Sequence, residues 1–236
     1  MLEIGDFLAA DGQHDIANFK ARLLRGMDMG VNDYLIRPID RHECLARIKT
    51  QIKRKRFTDY LRNRLEESVE LAITDPLTGL HNRRYMESHL RTLVEESIRT
   101  GRPLSILVTD IDHFKNVNDS HGHDGGDVVL KEFSARLKRN TRGIDLACRL
   151  GGEEFLIIIP ETDLARAYQV AERTRAMMAS EPFQLRADLK IRVTASVGLA
   201  TLESPDDTPE TIFKRADNAL YAAKRRGRNR VAADAA

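Results

Sequence analysis

Two apolar runs, Leu146 to Leu150 and Phe155 to Ile159, stand on either side of Gly151-Gly152, which leaves room only for a tight reversal of the chain. Both glycines tolerate positive φ, so the segment reads as a two-residue β-hairpin and commits the chain to a sheet with an antiparallel pair. Glu153 and Glu154 follow at once. Glycines without side chains let a phosphate-bearing ligand approach the backbone. Carboxylates beside such a ligand repel it unless divalent cations intervene, which points to Mg²⁺-assisted chemistry on a nucleotide. A solvated surface turn with two glutamates reads the same way in isolation, so the remainder of the chain must decide.

The 236 residues, 42% hydrophobic and 31% charged, lie in the globular range and suffice for one or two domains. No apolar run approaches the roughly 20 residues of a membrane helix. The first residues also lack the basic and apolar regions of a signal peptide, so the cytoplasm is expected. A formal charge of +2 gives no reason to expect a nucleic-acid polymer or a membrane as partner. Cys44 and Cys148, far apart, form neither a disulfide framework nor a zinc pattern.

From Ile39 to Asp75 the chain contains no glycine or proline, which predicts one long helix with Asp40 as its cap. Its apolar positions Leu45, Ile48 and Ile52 step by three and four, and Phe57, Leu61, Leu65 and Val69 resume after a break, as in a coiled-coil seam with a stutter. The helix reads as a dimer contact or as a spacer. A lone seam of this length leaves apolar surface uncovered, which favours the dimer. Before it, residues 1–38 read as strand, helix and strand. After it come a helix from Arg83 to Arg99, a strand from Leu104 to Ile111 and a helix from Asp127 to Arg139. Beyond the hairpin follow a helix from Leu164 to Ala179, strands at Phe183 to Leu185 and Lys190 to Thr201, and a helix from Pro209 to Arg225. Paired strands alternating with helices predict an α/β sandwich of the split βαβ type.

The strand ending in Asp110-Ile111-Asp112 is apolar until it meets two acids, and strand ends are where sheets deliver functional groups. If it lies beside the glycine hairpin, Asp110 and Glu153 converge into an oxygen site for Mg²⁺. Asp110 alone also reads as a helix cap. The segment from His113 to Asp127 is polar, glycine-rich and dense in hydrogen-bonding groups. In it Lys115 is a candidate to neutralise charge on a transferring phosphoryl group, and Asn118 and Asp127 are of the types that read a purine edge. His121 and His123 invite a zinc reading, but no cysteine is near and hard oxygen ligands are at hand.

Together Asp75-Pro76-Leu77-Thr78-Gly79-Leu80-His81-Asn82, Asp110 to Lys115, Asn118, His123, Asp127, Gly151 to Phe155 and Lys224 to Asn229 resemble the GGDEF family of diguanylate cyclases, over about Leu71 to Val231. In particular the chain resembles the output half of PleD-type response regulators. The resemblance implies a ferredoxin-like, nucleotidyl-cyclase or palm-like sandwich that condenses two GTP into cyclic di-GMP with release of two pyrophosphates. It implies that Asp110, the carbonyl of Ile111 and Glu153 hold Mg²⁺, or Mn²⁺ in its place. Glu153 would also help deprotonate the attacking 3′-hydroxyl, and Lys115 would stabilise the transition state. Asn118 and Asp127 would select guanine, His123 would lie near the substrate, and Lys224 with Arg228 would hold the triphosphate. Arg142 and Asp145, as an Arg-x-x-Asp pair, resemble the family's inhibitory site for product, with Arg173 as third member; an exposed ion pair is the alternative. Since the product joins two substrates, two domains must face each other, and a homodimer through residues 39–74 would raise the effective concentration of one half-site near the other.

Three segments are therefore expected: a partial receiver-like adaptor (1–38), a linker or dimerisation helix (39–74) and a catalytic domain (75–236). The run from Gly30 to Asp40 resembles the end of a receiver domain, with Arg37 before Pro38 where lysine is usual. Residues 1–38 supply too few elements for a whole receiver. They imply a fragment of a longer regulator or a shortened, unphosphorylated segment, and are expected to be poorly ordered or rearranged. Two further functions remain open: a catalytically silent cyclic di-GMP receptor, and a cyclase using ATP. Retention of Asp110, Lys115, Glu153 and Glu154 argues against the first, and Asn118 with Asp127 against the second.

Overall fold

A computed structural model of the chain describes residues 40–234 and, before them, Arg25. The strand, helix and strand expected in residues 1–38, and their expected disorder, lie outside the described residues. The chain divides into two compact units, Met1–Glu67 and Ser68–Ala236.

Helix α1 (Arg41–Ile73) is continuous over 33 residues, as its lack of glycine and proline predicts. Asp40 starts it: its Oδ1 accepts from the Glu43 amide at 2.8 Å, satisfying one of the free N–H groups of the first turn. Along the helix Leu45, Ile48, Ile52, Phe57, Leu61, Leu65 and Val69 are all exposed, and α1 has no buried residue. Ion pairs at helical spacing, such as Arg47 to Glu43 at 2.8 Å and Arg64 to Glu67 at 3.0 Å, decorate it. Each contributes about 0.3–0.5 kcal/mol, too little to stabilise a lone helix of this length.

The second unit is built on a sheet of six strands: β1 (His81–Asn82), β2 (Leu104–Ile111), β3 (Leu146–Gly151), β4 (Glu154–Pro160), β7 (Ala195–Thr201) and β8 (Val231–Ala233). Their order is β1-β3-β4-β2-β7-β8. The four inner strands pair antiparallel, while β1 and β8 add parallel edges. With helices α3 (Phe114–Asn140) and α4 (Leu164–Ser180) as crossovers, this is the split βαβ arrangement. Helices α2 (Arg83–Thr100) and α5 (Pro209–Arg225) complete the layers, and β5 (Phe183–Arg186) with β6 (Leu189–Ile191) forms a separate hairpin.

Side chains alternate across the sheet and fill two cores. On one face Leu107, Ile111, Phe155, Ile157 and Leu199 meet Phe133 and Leu137 of α3 and Ala167, Ala171 and Met178 of α4. On the other, Ile106, Val108, Leu156 and Ile158 meet Met86, Leu90 and Val94 of α2 and Ile212, Ala216 and Leu220 of α5. β2 lies between both layers and is buried at every residue, which explains its unbroken apolar run. The helices begin where short polar side chains take up free amides: Asn82 for α2, Asp163 for α4, and Thr208 with Thr211 in a capping box for α5. Gly198 lets α5 approach β7, because a Cβ there would lie 2.1 Å from the Ala216 carbonyl oxygen.

Several expectations are corrected. The helix expected from Asp127 begins earlier: α3 starts at Phe114 and runs through the polar stretch after Ile111, broken only at Gly122 (φ 74°, ψ 171°). Phe114 is buried in the core and Val117 packs against it, which offsets the weak helix propensity of Asn, His and Gly. The strand expected over Lys190 to Thr201 is split, since residues 192–194 leave the ladder between β6 and β7. β1 and β8 are too short to carry a pattern of their own.

Candidate active site

The β2–β4 ladder sets Asp110 opposite Glu154, and just beyond it the Ile111 amide donates to the Glu153 carbonyl at 3.3 Å. The turn is shifted by one residue from a Gly-Gly tip: Gly151 (φ 142°) closes β3 opposite Glu154, so Gly152 (φ 52°) and Glu153 form the tip. The shift puts Glu153 itself at the reversal, next to the end of β2. Asp110 is buried, Glu153 half-buried and Glu154 exposed.

Lys224, in the last turn of α5, places its Nζ 2.6 Å from Asp110 Oδ2. Burial pushes the Asp110 carboxyl up; Lys224 opposes the shift, and Glu154 and Asp112 add to it. The Glu153 carboxyl is raised by burial first and by Asp110 next, with Lys224 again opposing. Burial thus disfavours negative charge at this strand end, and Lys224 opposes it. Among the described residues, no three His, Cys, Asp or Glu side chains assemble as a metal cluster. Two carboxylates with the main-chain carbonyl of Ile111 are instead a donor set of hard oxygens. Such a set fits Mg²⁺, which keeps several waters and takes phosphate oxygens as further ligands.

The other expected substrate residues lie along the first half of α3, which leaves the same end of β2. Lys115 and His123 are exposed, and Asn118 and Asp127 are half-buried. Asn118 turns its amide oxygen toward Gly126, where an added Cβ would sit 2.0 Å away, so glycine beside Asp127 is what leaves room for the Asn118 side chain. Arg228 is exposed on the turn after α5, with φ of 61°.

Arg142 and Asp145 form a second cluster. Arg142 Nη2 donates to Asp145 Oδ1 at 2.8 Å and to Thr162 Oγ1 at 3.0 Å, while the Arg142 amide donates to Asp145 Oδ2 at 2.8 Å. The Asp145 side chain is 2% exposed and that of Arg142 51%, so a buried acid presents an accessible guanidinium. Arg173 Nη2 donates to the Asn140 carbonyl at 3.2 Å, on the same edge. β3, of six residues, separates this cluster from the glycine turn by roughly 20 Å.

Two partners of the turn carry no signal in sequence spacing. Arg149 Nε and Nη2 donate to the Gly152 carbonyl at 3.1 and 2.8 Å, and its Nη1 donates to Asp75 Oδ1 at 3.1 Å. Burial alone would raise the Asp75 carboxyl, but hydrogen bonds from Thr78 and Arg149 and the charge of Arg149 hold it below the usual carboxylate range. Behind the hairpin Cys148 is fully buried and its thiol is pushed up to about 12, which makes it structural, not reactive.

The sheet order, the acidic end of β2 and the glycine turn beside it define the class: a palm-like α/β domain. The profile of the family described as "Diguanylate cyclase, GGDEF domain" matches residues 72–230, and the chain belongs to this GGDEF family. It is 52% identical over 218 residues to the response regulator PleD of Caulobacter vibrioides, covering 92% of this chain and 48% of PleD. The chain thus spans about half the length of that relative. Among solved structures, the coiled coil and GGDEF domain of DgcB from Caulobacter crescentus, in complex with c-di-GMP, is similar. Its TM-score is 0.70 at 33% identity, over 81% of this chain and 98% of that one. The active GGEEF domain of a diguanylate cyclase from Vibrio cholerae has a TM-score of 0.62 at 34% identity, over 66% of this chain and 97% of its own.

Proposed function

We propose that this chain is a diguanylate cyclase that joins two GTP molecules into cyclic di-GMP. The observation that carries the reading is the meeting of Asp110 and Glu153 beside the Gly151-Gly152 turn, with Lys224 at 2.6 Å from Asp110. Asp110, Glu153 and the Ile111 carbonyl would hold Mg²⁺, or Mn²⁺, which when bound neutralises triphosphate charge and polarises the reacting phosphate. The 3′-hydroxyl of one GTP attacks the α-phosphorus of the other. A new O–P bond forms, the bond to pyrophosphate breaks, and Glu153 accepts the hydroxyl proton; the second bond closes the ring in the same way. Burial and Asp110 raise the proton affinity of Glu153, the direction a general base needs. Such a displacement relies on positioning and charge neutralisation. Lys115 supplies charge to the transferring phosphoryl group, Lys224 and Arg228 hold the triphosphate, and Asn118 and Asp127 read guanine beside His123. The V. cholerae relative, described as active with a GGEEF domain, supports function of this variant of the turn.

The catalytic domain is assigned to 75–236, the linker helix to 39–74 and a receiver-like adaptor to 1–38. Homodimerisation through 39–74 covers the exposed seam of α1 and brings two half-sites together. Arg142, Asp145 and Arg173 bind product and inhibit, a reading supported by the c-di-GMP complex of DgcB. No described helix is long and apolar enough to cross a membrane, and GTP as substrate places the reaction in the cytoplasm.

The test is incubation of the chain with GTP and Mg²⁺ across protein concentration, with ATP in parallel and products separated by chromatography. Cyclic di-GMP should form from GTP alone, with specific activity rising as dimers form. Binding of cyclic di-GMP without turnover of GTP at any concentration would replace the enzyme with a receptor.

A further inference from the structure

We propose that Asp112, the second acid of β2's end, is a positioning residue that sets the phosphate-holding turn after α5. The proposal rests on the reading of Lys224 and Arg228 as triphosphate ligands. Asp112 is 6% exposed, and three donors from distant parts of the chain occupy its carboxylate. Ser196 Oγ donates to Oδ1 at 2.7 Å, and Thr194 Oγ1 and the Asn229 amide donate to Oδ2 at 2.7 and 3.0 Å. Its own amide donates to the Thr194 carbonyl at 2.9 Å. An acid so engaged has little left to offer a cation, in contrast to Asp110 two residues earlier.

The turn it holds requires holding. Gly227, Arg228 and Asn229 have φ of 108°, 61° and 46°, and only the first is glycine. Side chains at positive φ crowd their own backbone and persist only where the surroundings over-determine them. Here the Arg228 amide donates to the Ala223 carbonyl at 3.1 Å, and Arg175 Nη1 donates to Asn229 Oδ1 at 2.8 Å. Asp112 takes the remaining donor, the Asn229 main-chain amide, across 117 positions of sequence. The end of β2 therefore grips this segment twice: Asp110 through Lys224, and Asp112 through Asn229. Between the two grips lies Arg228. Release of the second would let Arg228 relax away from its positive-φ conformation.

Asp112→Ala and Asp112→Asn, in the full chain, test this. Asparagine can retain the oxygen that accepts from both the Asn229 amide and Thr194 Oγ1, and the Ser196 hydroxyl can turn to accept from its NH₂ group. Asp112→Ala should raise KM for GTP and the Kd of guanosine 5′-(α,β-methylene)triphosphate, which cannot be cleaved, by about tenfold or more. The Mg²⁺ concentration for half-maximal activity at saturating GTP should not change, and Asn229 should lose its amide-exchange protection. Asp112→Asn should recover both to within about threefold of the wild type. If Asp112→Ala does not fold, a small loss of analogue binding in Asp112→Asn with unchanged Mg²⁺ dependence supports the proposal. Wild-type analogue binding in Asp112→Ala overturns it. So does a shifted Mg²⁺ requirement in Asp112→Asn, which would make Asp112 a metal ligand. Failure of the underlying reading is visible separately, as absence of analogue binding by the wild type before any variant is compared.

Discussion

Asp75 and Arg149, 74 positions apart, form an ion pair of 3.1 Å whose side chains are 20% and 12% exposed. The same guanidinium holds the Gly152 carbonyl, so the segment that follows α1 is tied directly to the turn bearing Glu153. Removing Arg149 leaves a half-buried carboxylate short of partners and frees the tip. Arg149→Ala should destabilise the fold by about 1–3 kcal/mol and lower kcat by roughly 10- to 100-fold through misplacement of Glu153. Thermal melting and steady-state kinetics read the two effects, and wild-type kcat would remove the brace from catalysis. Because the folded Asp75 carboxyl lies below its ordinary value of 3.8, its contribution is complete above that value and is lost only as pH falls through the lower, folded one.

Glu153→Gln should abolish turnover while preserving the fold. The Glu153 carboxyl is raised, so its charge opposes folding above its folded pKa and that cost fades as pH falls toward the ordinary value of 4.5. In metal-chelating buffer the variant should therefore melt higher than the wild type at pH 7, and the difference should shrink near pH 4.5. Equal melting temperatures at both pH values would refute the cost of burying the Glu153 charge, and retained turnover would refute the catalytic assignment.

Arg142→Ala should relieve inhibition by added cyclic di-GMP, raising the half-inhibitory concentration about tenfold or more, as expected for loss of a bidentate contact. The cost in stability should be about 1–3 kcal/mol, because the Asp145 side chain is 2% exposed and loses its counter-charge. Unchanged inhibition would place the regulatory surface elsewhere.

Gly198→Ala tests the contact that seats α5 on the sheet. An alanine Cβ would meet the Ala216 oxygen at 2.1 Å and the Leu220 nitrogen at 2.3 Å, both main-chain atoms that cannot swing away. Overpacking of this kind should cost about 1–3 kcal/mol. Since α5 carries Lys224, KM for GTP should rise as well; unchanged melting would mean that helix and strand are less tightly seated.

Much of this architecture was legible in short windows of sequence. The extent of α1, the apolar run of β2, the bounds of α5 and the glycine reversal each follow from a pattern confined to a few residues. The start of α3 was not legible: the sequence places the helix only from Asp127, whereas the burial of Phe114 extends it to that residue. β1 and β8 exist only because neighbouring strands offer them partners.

The sequence by itself determined the family, the split βαβ sandwich and the identity of the acids, because local periodicity and contiguous motifs carry that information. Tertiary structure decided which acid does what. Asp110 and Asp112 are chemically identical and two residues apart, yet one meets Lys224 and the glycine turn while the other meets Thr194, Ser196 and Asn229. Those partners are brought in by the register of β2 with β4 and β7 and by the seating of α5. Carboxylate chemistry is set by surrounding charge and donors, which no spacing along the chain specifies.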